Sequence, residues 1–314
     1  MKSLNEINEV NDETNEIIFN VLEATGLNWT VEKKPMFWGT ADYGNELIKD
    51  NFAAIRSDND AQLGIIGNQY TVLQNHEAVE TIYKAGAEVF NKDLNIEHPW
   101  NNAETLGNYG NIAGGSLKGG EAIFVQLELP TEYIGKSDVK RFLTAANHHN
   151  GQKALGFGSS NQVICCANTF AIALAEVSKI RHTASMQERV NEAVNALRRV
   201  LQFETHQIDV FQKAANVQFD NNHIRLVMEG LFGGAAALDN PKASTKLQNN
   251  VKAFADDLNT SIEEQGETLW TLFNAVTRYT NHTSRAKDKE YSLLFGNDAR
   301  SNQKAFNLIE SLVM

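Results

Sequence analysis

The sequence predicts an α+β fold: an antiparallel sheet with packed helices, followed by an all-helical C-terminal region. Three observations predict it. Between residues 51 and 167, short alternating or apolar runs are bounded by Gly, Asn and Asp; beyond residue 184, apolar residues recur at helical spacing; and pairs of strands twice lead into a helix.

In chain order, Leu4, Ile7, Val10, Ile17, Ile18, Val21 and Leu22 predict an amphipathic helix that stops at Gly26. Residues 51–57 alternate, Ser57-Asp58-Asn59-Asp60 supplies a turn, and Leu63-Gly64-Ile65-Ile66 begins the next strand. Asn75 is expected to cap a helix carrying Val79, Ile82, Tyr83 and Val89 on one side. A second unit begins with a strand from Tyr109 to Leu117, turns at Lys118-Gly119-Gly120, and returns from Ala122 to Leu129, ending at Pro130. Phe142–Ala146, Ala154–Phe157 and Gln162–Ala167 read as three further strands, with Asn150-Gly151 as a hairpin signal. A helix is expected after Asn168-Thr169, its apolar side formed by Phe170, Ile172, Ala173, Leu174 and Val177. Helices then follow at Met186–Phe203, Ile208–Val217, Asn222–Phe232, Lys246–Leu258 and Thr268–Tyr279, separated in part by Gly233-Gly234 and Asp239-Asn240-Pro241. This division gives an N-terminal helix over 1–30, an α+β core over 31–200 and a helical region over 201–314.

Four prolines and 21% charged residues exclude a disordered chain, and no apolar run reaches the roughly 20 residues that span a bilayer. The polar N-terminus does not read as a secretory signal, so a soluble cytoplasmic protein without membrane attachment is expected. The two cysteines, Cys165 and Cys166, are neighbours, a spacing that disfavours a structural disulfide and suits buried thiols in a reducing compartment.

The net charge is -11, yet residues 137–199 carry eight Lys and Arg against four acids, while residues 1–136 carry nine bases against 21 acids. A basic, Asn- and His-rich segment inside an acidic chain points to an anion, and a polyphosphate backbone best uses several separated cations. The candidate contacts are Lys140, Arg141, Asn147, His148, Lys153, Arg181, His182 and Arg189. Phe142 and Phe157 are candidates to stack on bases, and Arg181-His182-Thr183 would present a phosphate to the helix that follows. The expected partner is single-stranded DNA, held by a homo-oligomer that positions strands for annealing without catalysis.

Ile55-Arg56-Ser57-Asp58, Leu63-Gly64-Ile65-Ile66-Gly67, Gly115-Ser116-Leu117-Lys118-Gly119-Gly120, Asn147-His148-His149-Asn150-Gly151, Cys166-Ala167-Asn168-Thr169, Arg181-His182-Thr183 and Leu294-Phe295-Gly296 occur in the order of a phage- and plasmid-encoded family of unknown function, which the chain resembles. That resemblance implies a host-cell cytoplasmic setting and transfers no activity. The family more often has Ser-His-Asp-Gly where this chain has His148-His149-Asn150-Gly151. Strand pairs followed by a helix, with a basic loop, also resemble phage single-strand annealing proteins in architecture, and this implies a role in recombination or replication.

Two other classes remain open. A metal-dependent nuclease or hydrolase would draw on His148, His149, Cys165, Cys166, His182 and His282, with acids such as Asp58 or Asp60. No pair of these has zinc-site spacing, no cofactor motif is present, and residues 139–175 hold no acid. A protein-interaction role, such as inhibiting a host factor, would suit the acidic helical surface.

Overall fold

The computed structural model describes residues 4–40, 44–101, 114–163, 168–172, 179–180 and 185–314, and its mixed α+β content agrees with the expected class. The chain forms two compact units that interleave along the sequence: residues 1–128, 143–157 and 175–199 in unit 1, and residues 129–142, 158–174 and 200–314 in unit 2.

Unit 1 begins with α1 (Leu4–Ala24), which buries Ile18, Val21 and Leu22 and packs on α2 (Asn75–Val89). Gly26, at φ +64°, ends α1: Leu27 N–H reaches back to Leu22 O and Gly26 N–H to Glu23 O. These paired bonds satisfy helix carbonyls that would otherwise lack partners. Strands β1 (Val31–Thr40), β2 (Gly44–Arg56) and β3 (Gln62–Gly67) form an antiparallel sheet in sequential order. The predicted turn lies between β2 and β3, where Asn59 Oδ1 accepts Ala61 N–H and Asp60 takes φ +58°.

Two details depart from expectation. β1 and the first half of β2 are not legible as strands, because Lys33-Lys34-Pro35 and Lys49-Asp50 interrupt any alternation. Asn75 is also not the helix cap. Gln74 occupies that position, its N–H held by Glu77 Oε2 at 2.9 Å, while Asn75 Nδ2 is buried and donates to Leu27 O and Trp29 O.

The second sheet runs β4 (Gly114–Leu117), β5 (Ala122–Ile134), β6 (Ser137–His148), β7 (Leu155–Val163) and β8 (Asn168–Ile172) in spatial order, with β9 (Lys179–Ile180) also on β7. β5 continues through Pro130 to Ile134 instead of ending there. Proline removes one donor but keeps an extended φ, and the Pro130 carbonyl accepts Arg141 Nε at 2.8 Å. Asn168–Ile172 forms a strand antiparallel to β7, not the start of a helix. Its β-branched and aromatic residues suit a ladder as well as a helix face, and a waiting edge of β7 decides. Residues 109–113 and 164–167, also expected as strand, lie outside the described residues.

The helical elements are α3 (Met186–Ala214), α4 (Asn221–Phe232), α5 (Ala235–Leu238), α6 (Thr245–Gln265), α7 (Leu269–Arg278), α8 (Lys289–Phe295) and α9 (Asn297–Val313). Asp220, Ser244, Thr268 and Asp288 accept backbone N–H groups at the starts of α4, α6, α7 and α8, and Gly233 at φ +100° ends α4. The break expected between Phe203 and Ile208 is absent, because Glu204 and Gln207 in that polar stretch are buried partners of the sheet rather than loop residues.

The core of unit 2 centres on Phe211, whose ring lies 4.8 Å from Trp270, 4.7 Å from Phe273 and 5.5 Å from Phe306. Every residue of α7 from Leu269 to Thr277 is buried, so this helix is the centre of the helical packing. Among the described residues no helix is long and apolar enough to cross a membrane.

Candidate functional site

The Asn147-His148-His149-Asn150-Gly151 run is a buckle inside unit 1. Asn147 Nδ2 donates to Leu73 O at 3.1 Å, Tyr70 Oη donates to His148 O at 3.0 Å, and His149 Nε2 meets Asn75 Oδ1 at 2.8 Å. Trp29 places its ring edge-on to His149, and His149 N–H donates to Glu121 O at 2.8 Å. Gly64 lies under the turn: a Cβ there would come within 2.7 Å of Asn150 Cα, so only glycine permits this approach. Asn147 and His148 are buried and serve this packing, not an open surface.

The cations of the basic segment divide between the units. Arg189 is buried in unit 1 with Nη2 3.6 Å from Glu77 Oε1. In unit 2, Arg141 Nη1 lies 3.2 Å from Glu204 Oε2 and 3.6 Å from Glu132 Oε1. Lys140 and Lys153 are half-buried. Arg181, His182, Cys165 and Cys166 lie outside the described residues. Phe142 and Phe157, candidates to stack on bases, are buried in the core. The apolar environment of the strands takes both rings, because burying an aromatic side chain is worth more than exposing it.

Glu204 is the most perturbed carboxyl here. It is fully buried, and burial pushes it up to about 7, against the pull of Arg141 and with a small push from Glu132. One turn further along α3, Gln207 Oε1 accepts Ser159 Oγ at 3.0 Å. Glu204 Oε1, Gln207 Nε2 and Asn161 Oδ1 are buried without a hydrogen-bond partner. In unit 1, His98 accepts Trp100 N–H on Nδ1, packs among Tyr83, Phe90 and Trp100, and is pushed down to about 3 by burial. Among the described residues no three His, Cys, Asp or Glu side chains converge as metal ligands.

An open polar cleft lies elsewhere in unit 2. Its volume is about 450 Å³, and its lining includes Tyr133, Lys136, Gln212, Asn216, Gln265 and Trp270. Gly135-Lys136 forms the two-residue turn between β5 and β6, with Gly135 at φ +61° as a hairpin of this length needs. A Cβ on Gly135 would stand 3.2 Å from Trp270 Cδ1, so the missing side chain lets the turn close on the indole. Opposite, Leu269 N–H donates to Val217 O at 2.8 Å and stitches the start of α7 to the end of α3's connector. Tyr133 is 63% exposed, Lys136 is exposed, and the Trp270 indole N–H is buried without a partner. Lys136 is the one ionised side chain of the lining, and no carboxylate belongs to it. Sequence reading missed this cleft. Tyr133-Ile134-Gly135-Lys136 is a visible aromatic-Gly-Lys turn, but its partners are 76 to 137 residues away.

These features define an α+β protein with a polar cleft at a hairpin turn and a buried acid near the sheet. Over residues 105–311 the chain matches the family described as "Domain of unknown function (DUF932)", and it belongs to that family. No curated protein and no solved structure matches it.

Proposed function

We propose that this is a single-stranded DNA-binding protein, related to phage and plasmid proteins and acting in the host cytoplasm without catalysis, in recombination or replication and with strand annealing as its activity. The observation that carries this reading is the cleft at the β5–β6 turn, where an exposed Tyr133 and Lys136 stand beside amide side chains with no carboxylate in the lining. Single-strand binding without sequence preference needs an aromatic face for a base and a cation for the backbone, and base stacking contributes about 1–3 kcal/mol per base. A further backbone contact on a strand is proposed to come from Lys140, in β6.

Titration of labelled single-stranded and duplex oligonucleotides at two salt concentrations tests it. The expected result is preference for the single strand and a loss of about tenfold or more in the Tyr133→Ala/Lys136→Ala double variant, as one stacked base and one phosphate contact imply. Both residues are exposed, so the variant keeps its fold. Equal affinity of variant and parent removes the cleft from the reading, and no binding by the parent ends it.

Homo-oligomerisation is proposed with it, through the β1–β2 hairpin. Phe37 and Leu47 are directly paired and, with Trp38, are 53–59% exposed. Exposed apolar residues gathered in one place mark association surfaces. Lys34 is engaged by Glu32 and Asp60 of its own chain, so the apolar residues are proposed to carry the contact. Light scattering is expected to give a multiple of 34.9 kDa that falls to the monomer in Phe37→Ser/Trp38→Glu. A monomer in the parent at high concentration refutes it.

A further inference from the structure

We infer that the outer edge of β1, from Met36 to Thr40, pairs antiparallel with the same edge of a second copy, so that two chains close about a two-fold axis into one continuous sheet. The inference rests on the association proposed for the β1–β2 hairpin and adds which groups join and how many copies they close.

The sheet is incomplete along this hairpin. β3 pairs with β2 only from Asn51 to Ile55, and beyond Asn51 the hairpin runs on alone, with Phe37 opposite Leu47 and Trp38 opposite Glu46. A two-stranded hairpin is marginal in water, and a third strand or a covering layer is what steadies it. Neither is present among the described residues: Phe37, Trp38 and Leu47 are 53–59% exposed. Phe37 and Leu47 share one face and Trp38 lies on the other, because successive residues of a strand alternate. A layer laid on one face would leave the other uncovered. A strand added at the edge reaches side chains on both.

The backbone gives the same answer. β2 is the neighbour of β1 in the sheet, and the far side of β1 is closed at its base, where the Gln74 side chain takes both the N–H and the carbonyl of Val31. The next residues guard the edge as well: Lys33 and Lys34 are charged, Pro35 lacks an N–H, and the register shifts between Pro35 and Phe37. Charge, proline and bulges are the means by which an edge strand avoids a further partner. None of them continues into Phe37-Trp38-Gly39-Thr40. On the opposite side of the hairpin, β2 carries Glu46 and Lys49 and turns at Asp50, φ +62°. The unguarded row of N–H and C=O groups is therefore that of β1. An antiparallel edge is its own complement: after a half turn its donors meet the acceptors of an identical edge. A second copy also brings its own Phe37 and Trp38 alongside as cross-strand aromatic pairs. Each chain offers this edge once, so the assembly closes at two.

Light scattering and amide hydrogen exchange on the full chain, each at a high and a low concentration, test the pairing, with Trp38→Lys as the variant. The parent is expected to weigh twice 34.9 kDa at high concentration, and its residues 36–40 to exchange about tenfold more slowly there than in the dilute monomer. Trp38 is exposed, so Trp38→Lys keeps its fold; a lysine on the edge is expected to leave a monomer whose residues 36–40 exchange at the dilute rate at either concentration. Association with unchanged exchange over residues 36–40 overturns edge pairing and leaves association through the hairpin side chains standing. A particle of more than two copies overturns the closed pair. A parent that stays monomeric at high concentration ends both.

Discussion

Phe211→Ala is expected to destabilise the protein by about 4 kcal/mol, within the range for emptying a buried phenylalanine site. Phe211 is fully buried and touches the three rings of Trp270, Phe273 and Phe306, which come from α7 and α9. Removing its ring takes away an aromatic partner that these three share. The surrounding helices cannot collapse into the space, because α7 is buried on every side and its position is set by all of its neighbours. Aromatic pairs also contribute beyond their buried area, roughly 0.5–1.5 kcal/mol each. Against the 5–15 kcal/mol that usually holds a folded domain, this is a large fraction. Urea unfolding measures it as a lower midpoint at an unchanged slope. Phe211→Leu, which keeps most of the volume, should cost less than about 1.5 kcal/mol. Similar losses for the two variants would contradict a tightly packed aromatic centre.

The second large effect is a pH dependence set by Glu204. In the unfolded chain this carboxyl ionises near its ordinary value of 4.5, whereas burial holds its proton in the folded protein up to about 7. The sign follows: the folded state binds the proton more tightly, so the contribution is fully present below pH 4.5 and is lost as pH rises through 7. A separation of that size amounts to roughly 3 kcal/mol. Glu204→Gln cannot titrate, so parent stability relative to the variant should fall by about that amount between pH 4.5 and 7.5. The comparison with the variant matters because His98 acts in the opposite sense. Its folded value is pushed down to about 3 from 6.5, so its contribution is present above pH 6.5 and is lost as pH falls. His98 is common to both proteins and cancels in the difference. Chemical denaturation at several pH values measures the two curves; a constant gap between them would mean that Glu204 is hydrated or fully paired with Arg141.

The buried polar residues also explain which parts of this protein were legible beforehand. The C-terminal helices could be read because apolar spacing is local, whereas their caps, Ser244 before α6 and Thr268 before α7, were not singled out, and the cap expected at Asn75 falls on Gln74. The turn at Asn150-Gly151 and the stop at Gly26 could be read for the same reason, since positive φ is a property of the residue itself. The basic segment was also visible, but its use was not. A side chain's charge is written in the sequence, whereas the carboxylate that engages it lies 63 residues away for Arg141 and Glu204, and 112 for Arg189 and Glu77. Glu204-Thr205-His206-Gln207 looked like a gap between two helices, because polarity alone does not say whether a group faces water or a buried partner.

Local chemistry in the sequence therefore determined the α+β class, the run of C-terminal helices and the main turns. Each depends on backbone preferences and on hydrophobic spacing within one or two turns of chain. Tertiary structure alone decided that residues 168–172 join a sheet, that Asn147, His148 and His149 form a buckle, and that Tyr133, Lys136 and Trp270 surround a cleft. These depend on which distant groups share a small volume. There the cost of leaving a donor, an acceptor or a charge unmatched exceeds any local preference.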